Sequence, residues 1–266
     1  MKMALAIPGM DLSLGHGGTM GGGHMGAVLL MDASSVATLA GRNLEGMNHN
    51  AVFSPDGMEI WTSQMMMPGR VLVLNATTLA TRQTINVGDM PAEITFSRDG
   101  RYAFVANGMS NNVTVIDAAT KAVTRTISVG ANPVGAWPGM NGMMYVDNED
   151  GKTLSVIDTA TWVVTLTYNL GFTPALAAIA PNGELWVTNS DSGKVVFYRA
   201  DADSVLGELA TGAGAHAIAF SDNGNTGYVS NQAAGTVSVI DIASRAVTTH
   251  ITVGSKPNGL LFRATP

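Results

Sequence analysis

Cysteine is absent from this chain, which excludes disulfide staples, thiolate nucleophiles and cysteine metal ligands at once. Charge is scarce. Only 13% of the 266 residues are Asp, Glu, Lys or Arg, against 46% hydrophobic, the balance of a well-packed, weakly charged β protein. Positive charge is scarcer still, with 14 Lys and Arg against 20 Asp and Glu. The net charge of −6 and pI near 5.2 argue against a nucleic-acid partner. No stretch approaches the roughly 18 apolar residues of a membrane span. The opening MKMALAIPGM holds an apolar run too short for a secretory signal, whose core runs about 7–15 residues. It is read as the start of a mature or shortened chain.

What is present is a repeat. Residues Val87 to Ser128 contain four short runs, AEITF, RYAFVA, NVTVID and AVTRTI, rich in β-branched and aromatic residues and separated by Gly, Asn and Asp turns. This spells a four-stranded antiparallel meander. Its strand-ending glycine recurs as Gly57, Gly100, Gly142, Gly183 and Gly224, at steps of 43, 42, 41 and 41 residues. A period of about 40–45 residues with four strands per unit predicts the blades of a β-propeller.

The repeats carry YVSN at 228–231, FVAN at 104–107, WVTN at 186–189 and MYVDN at 144–148. Each of the first two and the last is followed by a VIDxAT-like segment, at Val239 to Ser244, Val115 to Thr120 and Val156 to Thr161. In these motifs the chain resembles the YVTN-repeat β-propellers of the surface-layer type. The resemblance implies a propeller scaffold and export to the periplasm or the cell exterior. It does not by itself imply an activity, because propellers host many unrelated functions.

The two ends complete one blade between them. Residues 253–266 match only a first strand, with Phe262 in the place of Phe96. KMALAIPGM aligns with RYAFVANGM, Lys2 on Arg101, as a second strand, and residues 27–40 supply the third and fourth. The reading is therefore all-β: a single domain, 1–266, forming a six-bladed propeller. Its composite blade is 253–266 plus 1–43, followed by blades 44–86, 87–128, 129–169, 170–210 and 211–252, with the C-terminal strand pairing near residues 2–7 to close the ring.

The candidate site comes from register. Counting four residues back from the end of each first strand gives the column His49, Ala92, Val134, Ala175, His216 and Asn258. First strands line the central channel of a propeller. The single long insertion, DLSLGHGGTMGGGHMG at 11–26, lies by meander parity on the same mouth and in the composite blade, between those of His216 and His49. His16, His24, His49 and His216 are therefore predicted to converge as metal ligands. Met20, Met25, Met47 and Met66 fall on that face as soft ligands, with Asn258 and Glu93 as partners of the ligands. The chain holds 16 Met. Imidazole and thioether together favour copper, with zinc or another His-ligated divalent metal as the alternative.

Three functions compete on this reading. The first is an exported copper-binding propeller, acting as a copper-dependent oxidoreductase on a small molecule at the channel mouth. The second is a non-catalytic scaffold or surface-interaction propeller. The third is a metal-dependent hydrolase or lactonase, whose sites are usually carboxylate- and amide-rich, unlike this imidazole-rich mouth. The chain is expected to be monomeric. No Ser-His-Asp order, phosphate-binding glycine loop or zinc-protease motif occurs.

Overall fold

The structure is a computed structural model that describes residues 1–9, 26–139 and 142–262. All regular structure among these is β. The strands are β1 (Lys2–Pro8), β2 (Gly26–Asp32), β3 (Thr38–Leu44), β4 (Ala51–Phe53), β5 (Glu59–Gln64), β6 (Arg70–Asn75), β7 (Thr81–Asn86), β8 (Pro91–Phe96), β9 (Tyr102–Asn107), β10 (Asn112–Asp117), β11 (Val123–Ser128), β12 (Pro133–Pro138), β13 (Met143–Asn148), β14 (Thr153–Asp158), β15 (Val163–Asn169), β16 (Pro174–Ile179), β17 (Glu184–Asn189), β18 (Lys194–Arg199), β19 (Val205–Ala210), β20 (Ala215–Phe220), β21 (Thr226–Asn231), β22 (Thr236–Asp241) and β23 (Ala246–Thr252). They form one three-stranded sheet, β1-β2-β3, and five four-stranded meanders, β4–β7, β8–β11, β12–β15, β16–β19 and β20–β23. The chain divides into two compact units, Met1–Ala136 and Trp137–Pro266.

Local chemistry explains the meander. After β4, β8 and β20, a serine side chain accepts from the opening N–H of the next strand: Glu59 N to Ser54 Oγ at 2.9 Å, Tyr102 N to Ser97 Oγ and Thr226 N to Ser221 Oγ at 3.0 Å each. The glycine that follows has φ of 70° at Gly57, 71° at Gly100 and 74° at Gly224, a region costly for other residues. The second and third strands have both of their faces covered: β5 is buried at every residue, polar ones included, and β9 at all but its first. In the first unit a core between the N-terminal sheet and β4–β7 gathers Val28, Leu30, Leu44, Ile60, Leu72 and Leu74, and a second gathers Trp61, Val73, Ile94 and Val105. In the second unit Trp186, Phe197, Ala215 and Val229 belong to the equivalent layer.

The termini depart from the expectation in two ways. Residues 2–8 do form a strand, but Lys2 pairs with Asp32 where Tyr102 pairs with Asp117. Asp32 and Asp117 open the same turn, so Lys2 stands in the place of Tyr102, one residue on from the expected Arg101. At the other end, residues 257–262 carry no strand assignment, and the N-terminal sheet has three strands. Pro257 has no N–H to give a ladder and Gly259 has no side chain to pack, which weakens this segment as a strand. It nevertheless occupies a first-strand place beside β21. Phe262 stacks on Tyr228 with ring centroids 5.7 Å apart, where Phe220 meets Trp186 at 5.2 Å and Phe96 meets Trp61 at 5.3 Å. Ser230 Oγ donates to the Asn258 carbonyl at 3.2 Å, as Thr188 Oγ1 does to that of His216 at 2.7 Å.

Candidate functional site

The column singled out by the repeat coincides with a break in the ladder. In β8 the pairing steps from Pro91↔Asn107 to Ile94↔Val105, in β16 from Pro174↔Asn189 to Ala177↔Val187, and in β20 from Ala215↔Asn231 to Ile218↔Val229. Ahead of β4 an isolated bridge joins Met47 to Met65, and pairing resumes at Ala51↔Thr62. Each of these four first strands thus carries one residue more than its partner, a bulge that re-aims a side chain. Ala92, Ala175, His216 and His49 all lie inside these bulges.

His49 is the best-anchored of the expected ligands. The asparagine before it, Asn48, is fully buried and donates to the Ala27 carbonyl at 3.0 Å and to Thr62 Oγ1 at 3.2 Å. The asparagine after it clasps the next sheet: Asn50 Nδ2 donates to the Ile94 carbonyl at 2.8 Å, and its Oδ1 accepts from Ile94 N at 3.1 Å. The imidazole is held between these ties with Nδ1 3.0 Å from Glu93 Oε1; the side chains are 34% and 16% exposed. The contact is an ion pair only when the ring is protonated. A carboxylate hydrogen-bonded to Nδ1 of a neutral ring would orient it and raise the basicity of a ligating imidazole. Glu93 was legible as a candidate partner from its place after the column. The two asparagines were not singled out, although the run Asn48-His49-Asn50 was the available signal.

The remaining candidates are placed less simply. Met47 is half-buried, and its carbonyl accepts from Met65 N at 2.7 Å. The Met66 sulfur accepts from the Arg70 guanidinium, at 3.2 Å from Nε and 3.0 Å from Nη2. In the second unit His216 is half-buried in its bulge. Asn258 is exposed, and its Oδ1 accepts from Gln232 Nε2 at 3.2 Å. His250 is exposed, with Nδ1 3.1 Å from Ser238 Oγ. His16, His24, Met20 and Met25 lie outside the described residues. Among the described residues no three His, Asp or Glu side chains gather in ligating range of one point.

No family model matches the chain, and no curated protein matches it. Solved structures do. Hydrazine synthase of Kuenenia stuttgartiensis is similar at a TM-score of 0.73 and 16% identity, over 88% of this chain and 82% of that one. Dihydro-heme d1 dehydrogenase NirN is similar at 0.73 and 16%, over 98% of this chain and 56% of that one. The fold is a six-bladed β-propeller. At this identity the likeness extends to the fold alone. The helix-free described residues contain no helix long and apolar enough to cross a membrane.

Proposed function

We propose that this propeller is an exported member of the YVTN-repeat type that binds copper at His49, and that the bound ion serves redox chemistry on a small molecule. The observation that carries the reading is the carboxylate–imidazole pair of Glu93 and His49, a ligand oriented by its partner and fixed by asparagines on either side. By sequence register alone, His216 and, in the insertion, His16 and His24 are the further imidazoles expected. A copper ion supplies a one-electron redox centre or a Lewis acid; the chain supplies ligand orientation and, with no cysteine, an all-imidazole and thioether donor set. One of the propeller neighbours named above bears the name of a dehydrogenase, which is compatible with this use of the fold.

Metal analysis of the full chain after chelation and refilling, followed by titration of single His→Ala variants, tests the proposal. Stoichiometric copper is expected, weakened most by His49→Ala because that change removes a preorganised ligand. Affinity is also expected to fall as pH drops through about 6.5, the ordinary imidazole value, because a protonated ring cannot ligate. A parent protein that takes up no copper supports the scaffold reading instead. Preference for an oxygen-ligated divalent ion supports the hydrolase. Parent-like copper binding by His49→Ala removes the site altogether.

A further inference from the structure

Between the N-terminal sheet and β4–β7, both in the first unit, a groove of about 310 Å³ opens above the shared core. Its floor is apolar, made by Leu44 and Leu72, which are 2% and 8% exposed. Its walls are two guanidiniums, Arg42 from β3 and Arg70 from β6. Two cations facing one groove are unusual on a chain of net charge −6; the one carboxylate that lines the groove with them is Glu45 at its solvent-exposed rim. Arg42 gives one N–H to the Leu79 carbonyl. Arg70 leans on the uncharged sulfur of Met66, and its nearest carboxylate, Glu45 at 3.4 Å, has a side chain 78% exposed to solvent. A rim pair of that kind contributes little.

At the end of β5 the side chain of Gln64 also lines the groove. It is 2% exposed, and its Nε2 has no hydrogen-bond partner. A buried amide donor left unmatched is costly, by about 1–3 kcal/mol, and calls for an acceptor. We infer that the groove binds a small organic anion, a carboxylate on a short apolar body. The carboxylate would accept from Gln64 Nε2 and from the guanidiniums, and the apolar part would lie on Leu44 and Leu72. The volume suits a molecule of a few carbons, at the small end of ligand pockets. The site is independent of His49 and of any metal.

The test is titration of the metal-free full chain with butyrate, followed by chemical-shift changes. Butyramide and inorganic phosphate are run alongside. Saturable butyrate binding is expected, weakening with added salt, with butyramide and phosphate both bound much less. Arg70→Gln is expected to lower butyrate affinity by about tenfold or more through loss of a charge-assisted bond. Gln64→Glu is expected to abolish it by facing the ligand with a like charge. Absence of saturable butyrate binding to the parent overturns the proposal without reference to any variant. Equal binding of butyramide overturns the anionic requirement, and equal binding of phosphate overturns the organic one.

Discussion

Arg245 grips the carboxylate of Glu184 with two nitrogens, Nη2 on Oε1 and Nε 3.2 Å from Oε2, while its guanidinium lies 5.3 Å over the Phe197 ring. The same device recurs in the first unit, where Lys121 Nζ is 2.9 Å from Glu59 Oε2 and 5.7 Å over Trp61. Both cations leave the turn between a third and a fourth strand, at φ of 51° and 62°. The left-handed conformation sends each side chain back to the preceding sheet.

The Arg245→Met variant strands a carboxylate that is 17% exposed and is expected to cost about 2 kcal/mol at neutral pH, below the full penalty of a completely buried pair. Burial pushes the Glu184 carboxyl up. Hydrogen bonds from Arg245 and Asn182 and the Arg245 charge outweigh it, and the net shift is downward. A group held below its unfolded value contributes fully above that value, about 4.3 for Glu, and the contribution is lost as pH falls through the folded value. Urea unfolding at pH 7 and pH 3 checks both points: the gap between parent and variant is expected to shrink at the lower pH.

Acid sensitivity has a second source in the turns between third and fourth strands. Asp117 Oδ1 accepts from Thr120 N at 2.9 Å, Thr120 Oγ1 at 3.0 Å and Ala119 N at 3.1 Å. These bonds, led by the Thr120 backbone, hold the carboxyl below the usual range. Asp32, Asp158 and Asp241 are held low in the same way, led by Ser35 N, Ala160 N and the Ser244 hydroxyl. Their contribution is complete above about pH 3.9, the ordinary Asp value, and fades as pH falls through the folded values. Asn75 fills the same turn without a titrating group, accepting from Thr77 N at 2.8 Å and Thr78 N at 3.0 Å. Asp→Asn at all four positions is therefore expected to keep the fold and to flatten the acid limb of a melting-temperature-versus-pH curve.

These turns show what the sequence made legible and what it did not. The meander, the blade count and the aspartate turns follow from periodicity and turn chemistry, both of which are local. The column of His49 and His216 followed from register. The Glu93 contact joins residues on different sheets and depends on how two bulges aim their side chains, which no spacing encodes. Met66 was read as a soft ligand from its sulfur and its face; the contact of that sulfur with Arg70 is one that no spacing encodes. The one-residue offset of β1 arose because KMALAIP and YAFVAN share composition without a common anchor. The C-terminal segment kept the aromatic that docks on the last sheet, while Pro257 and Gly259 weakened its ladder.

Val36 occupies the turn position of Lys121 and Arg245, at φ 57°, but its side chain is 62% exposed. A β-branched residue in the left-handed region is strained by about 1–2 kcal/mol, and here the side chain lies mostly in solvent. Val36→Asn is expected to raise stability by roughly 0.5–1 kcal/mol, since Asn tolerates this conformation. Lys121→Asn relieves comparable strain but breaks the pair with Glu59, and is expected to lower stability. Thermal melts of the two variants side by side check the opposite signs.

Glu93→Gln probes the candidate site without disturbing its shape. The amide is nearly isosteric with the carboxylate beside His49 Nδ1, and the ties from Asn48 and Asn50 remain. If Glu93 acts through the imidazole, loss of its charge lowers copper affinity by about 10–100-fold, the usual cost of removing a ligand's carboxylate partner. Stability should change little, because the pair is partly solvated. Asn50→Ala separates the mechanical contribution from the electrostatic one. It removes two hydrogen bonds to Ile94 and is expected to lower both stability and affinity, through a loosened bulge. The decisive comparison is a double-mutant cycle read by copper competition. In a His49→Ala background, Glu93→Gln should have no further effect on affinity, because its influence passes through that ring. An undiminished effect there would place Glu93 on the metal itself or on another ligand.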